Sequence, residues 1–333
     1  MTRSVVQPGP RNLITDIDGI AVGQVHDARV KTGVSLVLPD WRMVAGVDVA
    51  GGGPGTRETE ALDPDRLVEE VDAIVLSGGS SYGLDAAGGV AGWLGARGRG
   101  FQLGASPVVS PIVPGAILFD LTNGGDKVWG EMPPYHALGR AACEAVSKEV
   151  RLGKAGAGFG ARAGQLEGGM GSVSAVTERG LQVGALMAVN AFGSAVIPGT
   201  DSFWAAPYEL AGEFGGRGWP SSLPPVSSLD PLAGSKADTG AGGNTTIGVI
   251  ATNARLTQAE CRRVAQMAQD GMARALRPVH APVDGDTLFV LASGKYELGE
   301  EARALALSAL GGLAADCVAR AIARGVYEAG KAA

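Results

Sequence analysis

Thr245 stands at an abrupt change of texture. The glycine-rich run Ala241-Gly242-Gly243 meets Asn244-Thr245-Thr246, and an apolar strand pattern starts at once in TTIGVIATNA. A glycine-rich approach to a hydroxyl fixed at the start of a buried strand suits an intramolecular acyl shift. The Thr245 hydroxyl attacks the Asn244 carbonyl, the amide becomes an ester, and water hydrolyses the ester. Thr245 is then a new N-terminus. Its α-amino group, with an ordinary pKa of about 7.7–8.0, is placed to take the hydroxyl proton. Threonine with its own terminal amine is an established nucleophile–base pair. The local pattern also fits a loop that ends where a strand begins, and Asn-Thr-Thr matches a glycosylation sequon.

A second constellation is His280-Ala-Pro-Val-Asp284-Gly-Asp286-Thr287, two carboxylates flanking a glycine before a strand. Paired acids raise one another's pKa, share a proton and orient a hydroxyl or amine. The same letters fit an Asp-Gly turn with solvated acids. A metal site lacks a matching His or Glu set, so no metal and no cofactor are expected. His26, His136 and His280 are scattered and read as structural. Gly156-Ala-Gly158-Phe-Gly-Ala161 fits the loose G-x-G-x-x-A pattern. It does not follow a strand and open a helix, as a dinucleotide fingerprint must. LSGGSSYG at 76–83 lacks the Gly-Lys-Ser/Thr ending of a phosphate loop, and no G-x-S-x-G elbow occurs.

These residues need elements to hold them. Val34, Leu36 and Leu38 alternate as a strand does. MVAGVDV runs as a strand into the glycine-proline loop Gly51–Gly55, and DAIVLSGG reads as strand and turn before a small-residue helix. A helix is expected over Ala137–Val146. GSVSAVTERGLQVGALMAVNAFG predicts a hairpin turning at Glu178–Gly180. Leu13 to Val25 alternates with turns at Gly19 and Gly23. Residues 220–243, rich in Pro, Ser and Gly, read as a flexible linker before the Thr245 strand. Thr257 and Glu260 form a capping box for the next helix. DTLFVLAS is a strand, and the C-terminal helix is expected to break near Gly311–Gly312. The whole, 1–333, reads as one domain of layered α/β architecture.

Composition removes several function classes. The chain has 333 residues, 45% apolar and 19% charged, with net charge −6. No basic-aromatic cluster suggests nucleic-acid binding. No run of about 18 apolar residues suggests a membrane span. The first residues lack a signal-peptide core, so a cytoplasmic location is expected. Cys143, Cys261 and Cys317 are too few for a disulfide framework and read as small apolar helix residues. Fifty-three glycines against 7 Phe and 5 Tyr point to tight turns and close contacts between layers.

Taken in order, ITDIDGIAVG, GGGPGTRETE, LSGGSSYGLDAAGGVAGWL, GAILFDL, GKAGAG, AVNAFG, GNTTIGVIATNA and RPVHAPVDGDTLF resemble the DmpA-type self-processing peptidases. That family includes L-aminopeptidase/D-esterases, β-aminopeptidases and nylon-oligomer hydrolases. The resemblance spans nearly the whole chain and rests most on its last two motifs. It implies a four-layer αββα sandwich like that of the N-terminal-nucleophile hydrolases. It implies autocleavage between Asn244 and Thr245 into associated pieces 1–244 and 245–333, and a homo-oligomer, commonly a tetramer. Thr245 falls at the nucleophile, Asp284 and Asp286 at its two acids, and Asn190 at an amide that serves the oxyanion. Thr in place of Ser leans towards the nylon-oligomer branch. Phe119 stands where that branch has tyrosine, and Gln165 where a lysine is often found, so a hydroxyl and a positive charge are missing there. Ser80 and Tyr82 join Phe119 and Gln165 as substrate-pocket candidates. Small peptides or amide oligomers are the implied substrates. Rival readings are an acetyl-transferring relative of ornithine acetyltransferase and a non-cleaving binding protein of the same fold.

Overall fold

The computed structural model describes residues 5–223, 230–239, 243–299 and 301–331. Two sheets face each other and each carries a helical layer outside it. The first strands are β1 (Ile20–Asp27), β2 (Thr32–Pro39) and β3 (Met43–Val49). Next come β4 (Ile74–Ser77), helix α1 (Ala86–Gly95), β5 (Gly115–Ile117) and helix α2 (Tyr135–Glu144). The hairpin β6 (Gly169–Thr177) and β7 (Gln182–Asn190) follows. The chain then forms β8 (Thr245–Ala254), α3 (Gln258–Ala275), β9 (Thr287–Tyr296) and α4 (Arg303–Gly330). One sheet has seven strands, in the order Val6–Gln7, β6, β7, β8, β9, β3, Glu70–Val71. The other has six, in the order Thr56–Arg57, β5, β4, β2, β1, Val146–Ser147.

Side-chain alternation makes the layers. In β8, Ile247, Val249 and Ala251 enter the core between the sheets, while Ile250 packs with Val264, Ala268 and Met272 of α3. In β9, Phe289 and Leu291 face the second sheet, and Leu288 and Val290 face the helices. Val34, Leu36 and Leu38 of β2 pack on Val90 and Leu94 of α1 and Ala142 of α2, and Val37 points the other way. A strand covered on both faces reads as one apolar run, and β8 is buried along its whole length. This is the four-layer αββα sandwich.

Most of the expected elements form where the patterns place them, the capping box of α3 included: Glu260 N–H donates to Thr257 Oγ1 at 3.3 Å. Three expectations change. Gly23 lies inside β1 and is no turn; a Cβ there would sit 1.9 Å from the Ala142 carbonyl oxygen, so its glycine lets α2 lie on the strand. Helix α4 runs unbroken through Gly311–Gly312, because Gly311 makes room for Met267 of α3. That helix is also long and apolar enough to cross a bilayer by length and composition. Its apolar side chains instead line the protein's own core, and its Arg320 forms a buried pair with Glu213 at 2.6 Å. Within the run 220–243, positions 224–229 and 240–242 lie outside the described residues. Ser235 and Lys236 are buried, so that part of the expected linker packs against the body. All three cysteines are buried in helices, as expected.

Candidate active site

The ends of three neighbouring strands meet at Thr245. Strands β7 and β8 are antiparallel, and Asn190, the last residue of β7, is the direct partner of Thr245, the first of β8. Strand β9 runs parallel to β8, with Thr287 beside Ile247. That register brings the loop Asp284-Gly285-Asp286 alongside the Thr245–Thr246 backbone. The crossover through α3 is therefore what brings together residues some forty positions apart in sequence. Thr245, Asn190, Asp284 and Asp286 are all buried.

Thr245 Oγ1 lies against the carbonyl oxygen of Asn244, the residue before it. Gly285 also comes close: a Cβ there would stand 2.8 Å from that hydroxyl. Only glycine between the two acids leaves the space. Asp286 accepts from Thr246 N–H at 2.8 Å through one oxygen. Its other oxygen receives the His280 backbone N–H at 3.1 Å and faces His280 Nδ1 at 2.9 Å. Burial disfavours a charged His280 ring, but the hydrogen bond and charge of Asp286, with Asp284 behind it, raise its pKa overall. His280, expected to be structural, thus belongs to the site. Asp284 accepts from Phe192 N–H and Ala281 N–H, each at 3.3 Å. Burial, then the neighbouring Asp286 charge, push Asp284 up to about 7.

The Asn190 side chain is fixed at both ends. Its Oδ1 accepts from the Arg162 backbone N–H at 3.0 Å, and its Nδ2 donates to Phe119 O at 3.0 Å and Gly243 O at 3.3 Å. Gly243 has φ +86°, a conformation natural to glycine, and a Cβ there would stand 1.9 Å from the Phe119 ring. Lys236 completes the group. Its ammonium donates to Asn190 O at 3.0 Å, Asn190 Oδ1 at 3.1 Å and Gly243 O at 3.0 Å. Burial brings it down to about 7, with Asp284 pulling the other way. A lysine in a Pro-, Ser- and Gly-rich run reads as solvated, so the sequence carried no signal for it.

A cavity of about 580 Å³ adjoins these residues, lined among others by Phe119, Asp120, Lys154, Arg162, Asn190, Lys236 and Gly243. Thr245 is not among its lining residues, while its neighbours Gly243 and Asn190 are. Of the sequence-derived pocket candidates the structure brings only Phe119 here. Gln165 lines a separate hollow with Phe203 and Tyr327. Ser80 and Tyr82 lie on the short turn entering α1, where Tyr82 meets the Trp129 ring. The positive charge missing at Gln165 is present beside Asn190 through Lys236. No group of His, Cys, Asp or Glu fit to hold a metal occurs among the described residues.

The αββα sandwich thus sets a hydroxyl at the start of a central strand, with two acids and an amide around it. Solved structures share the fold. A β-aminopeptidase of Burkholderia sp. superposes with TM-score 0.68 at 23% identity, over 96% of this chain and 88% of that one. The L-aminopeptidase D-Ala-esterase/amidase of Ochrobactrum anthropi, described as a variant of the Ntn-hydrolase fold, also gives 0.68, at 21% identity over 96% and 86%. The chain belongs to peptidase family S58, whose model matches residues 12–333, and it is a hydrolase of amide bonds. An uncharacterized aminopeptidase of Mycobacterium tuberculosis (strain ATCC 25618 / H37Rv) is 45% identical over 96% of this chain and 94% of its own. A 6-aminohexanoate-oligomer endohydrolase of Kocuria sp. (strain KY2) is 29% identical over 87% and 77%.

Proposed function

We propose that the chain cuts itself between Asn244 and Thr245 and then hydrolyses small peptides or amide oligomers through an acyl-enzyme on Thr245. The observation that carries this reading is the position of the Thr245 hydroxyl, against its own preceding carbonyl and close to Gly285, on a residue paired in register with Asn190. In the first stage Oγ1 bonds to the Asn244 carbonyl carbon and the C–N bond breaks. The hydroxyl proton passes to the Thr245 nitrogen, which leaves as a free amine, and water hydrolyses the ester to an Asn244 carboxyl and a restored Thr245 hydroxyl. In the second stage the freed amine takes the hydroxyl proton, and Thr245 attacks a substrate amide. Asn190 Nδ2, already donating to a peptide carbonyl, supplies a hydrogen bond to the oxyanion. Asp286 holds the Thr246 amide and Asp284, poised near neutrality, holds the neighbouring loop.

The cavity supports the order of events. It reaches Gly243 and Asn190 but not Thr245, so departure of the chain upstream of the cut opens the nucleophile to substrate. The aminopeptidase and 6-aminohexanoate-oligomer relatives supply the two substrate classes to try. A panel of amino-acid p-nitroanilides and 6-aminohexanoate oligomers tests the reading. Hydrolysis by processed protein is the expected result, and no turnover of either class by fully processed protein would contradict it. Assembly into a homo-oligomer, a tetramer of cleaved units, belongs to the same proposal. Leu103, Val108, Val128 and Met132 are exposed apolar side chains, which supports self-association, and light scattering measures it.

A further inference from the structure

Lys236 is only 3% exposed, although lysine is almost never buried without a specific partner set. Three acceptors of its amino group belong to the site: the Asn190 carbonyl, the Asn190 side-chain oxygen and the Gly243 carbonyl. The Lys236 amino group faces all three of these oxygens as a donor. The Arg162 backbone N–H, the second partner of Asn190 Oδ1, only donates too. Together they fix which end of the Asn190 amide is oxygen. The nitrogen end must then point at Phe119 O and Gly243 O, as it does. A flipped amide would set donors against donors and carbonyls against a carbonyl. Gly243 O is held from two sides, by Lys236 and by Asn190, one residue before the Asn244 carbonyl.

We propose that Lys236 is a positioning residue: it locks the Asn190 amide with its donor end on the Gly243 carbonyl, one residue before the scissile peptide, and so holds the chain upstream of Asn244–Thr245 in place for attack. This rests on Thr245 as the nucleophile. Lys236 acts on the Asn244–Thr245 bond through Asn190 and Gly243.

The test uses the full chain as Lys236→Met, Lys236→Arg, Asn190→Ala and the Asn190→Ala/Lys236→Met double variant. Denaturing gels and intact mass follow the appearance of pieces 1–244 and 245–333, and thermal melting checks that each variant folds. Loss of hydrogen bonds from a charged group predicts that Lys236→Met slows scission about 10- to 100-fold. Lys236→Arg, which keeps the donors, recovers most of the rate. In the Asn190→Ala background, Lys236→Met adds less than about threefold, because the two residues act as one unit. Scission of Lys236→Met at the wild-type rate overturns the proposal. So does an equal loss with and without Asn190, which would make Lys236 a support of the fold alone. Thr245→Ala, run alongside, stays whole if the nucleophile is right; cleavage of that variant sinks the underlying reading instead.

Discussion

At the scale of residues, the site gathers charges that burial opposes. Asp284 titrates near 7 in the fold against about 3.9 in an unfolded chain. Between those values the folded form binds more protons, so stability from this group falls as pH rises from about 4 to 7. Asp284→Asn removes that slope. Melting curves at pH 4.5 and 7.5 are expected to show the wild type losing stability relative to Asp284→Asn over that interval; equal slopes would contradict the shift. Gly285→Ala is sharper. Its backbone has no left-handed φ, but the new methyl would stand 2.8 Å from Thr245 Oγ1 and 2.9 Å from Gly53 O. Displacing a reacting group by about 1 Å costs roughly 100-fold, which is the slowing of scission expected in time-resolved gels. Thr245, Asp284 and Asp286 were legible as types at suggestive spacings, and with Asn190 they became a set through the resemblance. Lys236 and His280 were not legible. Each owes its role to a tertiary neighbour: the end of β7 for Lys236, and a loop that turns back on Asp286 for His280.

At the scale of elements, the sheet register performs the assembly. β8 must begin at Thr245 opposite Asn190, and β9 must follow the acids, for the hydroxyl, amide and carboxylates to meet. Alternation in β2 and the capping box of α3 were readable because local physics decides them. The errors at Gly23 and Gly311 share one cause. Glycine serves both turns and close approach, and only the partner element tells which. Gly171 in β6 is the clearest test of close approach, since a Cβ would lie 1.8 Å from the Ala321 carbonyl oxygen of α4. Backbone cannot yield as a side-chain tip does. Gly171→Ala is expected to destabilise the fold by about 2 kcal/mol or more in denaturant unfolding, in the range of overpacked cores.

At the scale of the whole molecule, a cut before Thr245 would not release the C-terminal piece. β8 lies between β7 and β9, and β9 pairs in turn with β3, so the piece is held in the sheet by strands of the N-terminal part on both sides. Helices α3 and α4 seal its outer face. The two pieces are expected to elute together in native size exclusion and to separate only after denaturation. The measurement that bears most directly on the central claim is intact mass of the purified chain and of Thr245→Ala, with N-terminal sequencing of any small piece. The wild type should give residues 1–244 and a piece beginning Thr-Thr-Ile-Gly, while Thr245→Ala stays whole and hydrolyses no amide. A wild-type chain that remains whole yet hydrolyses amides, or a Thr245→Ala chain cut at the same bond, would contradict it.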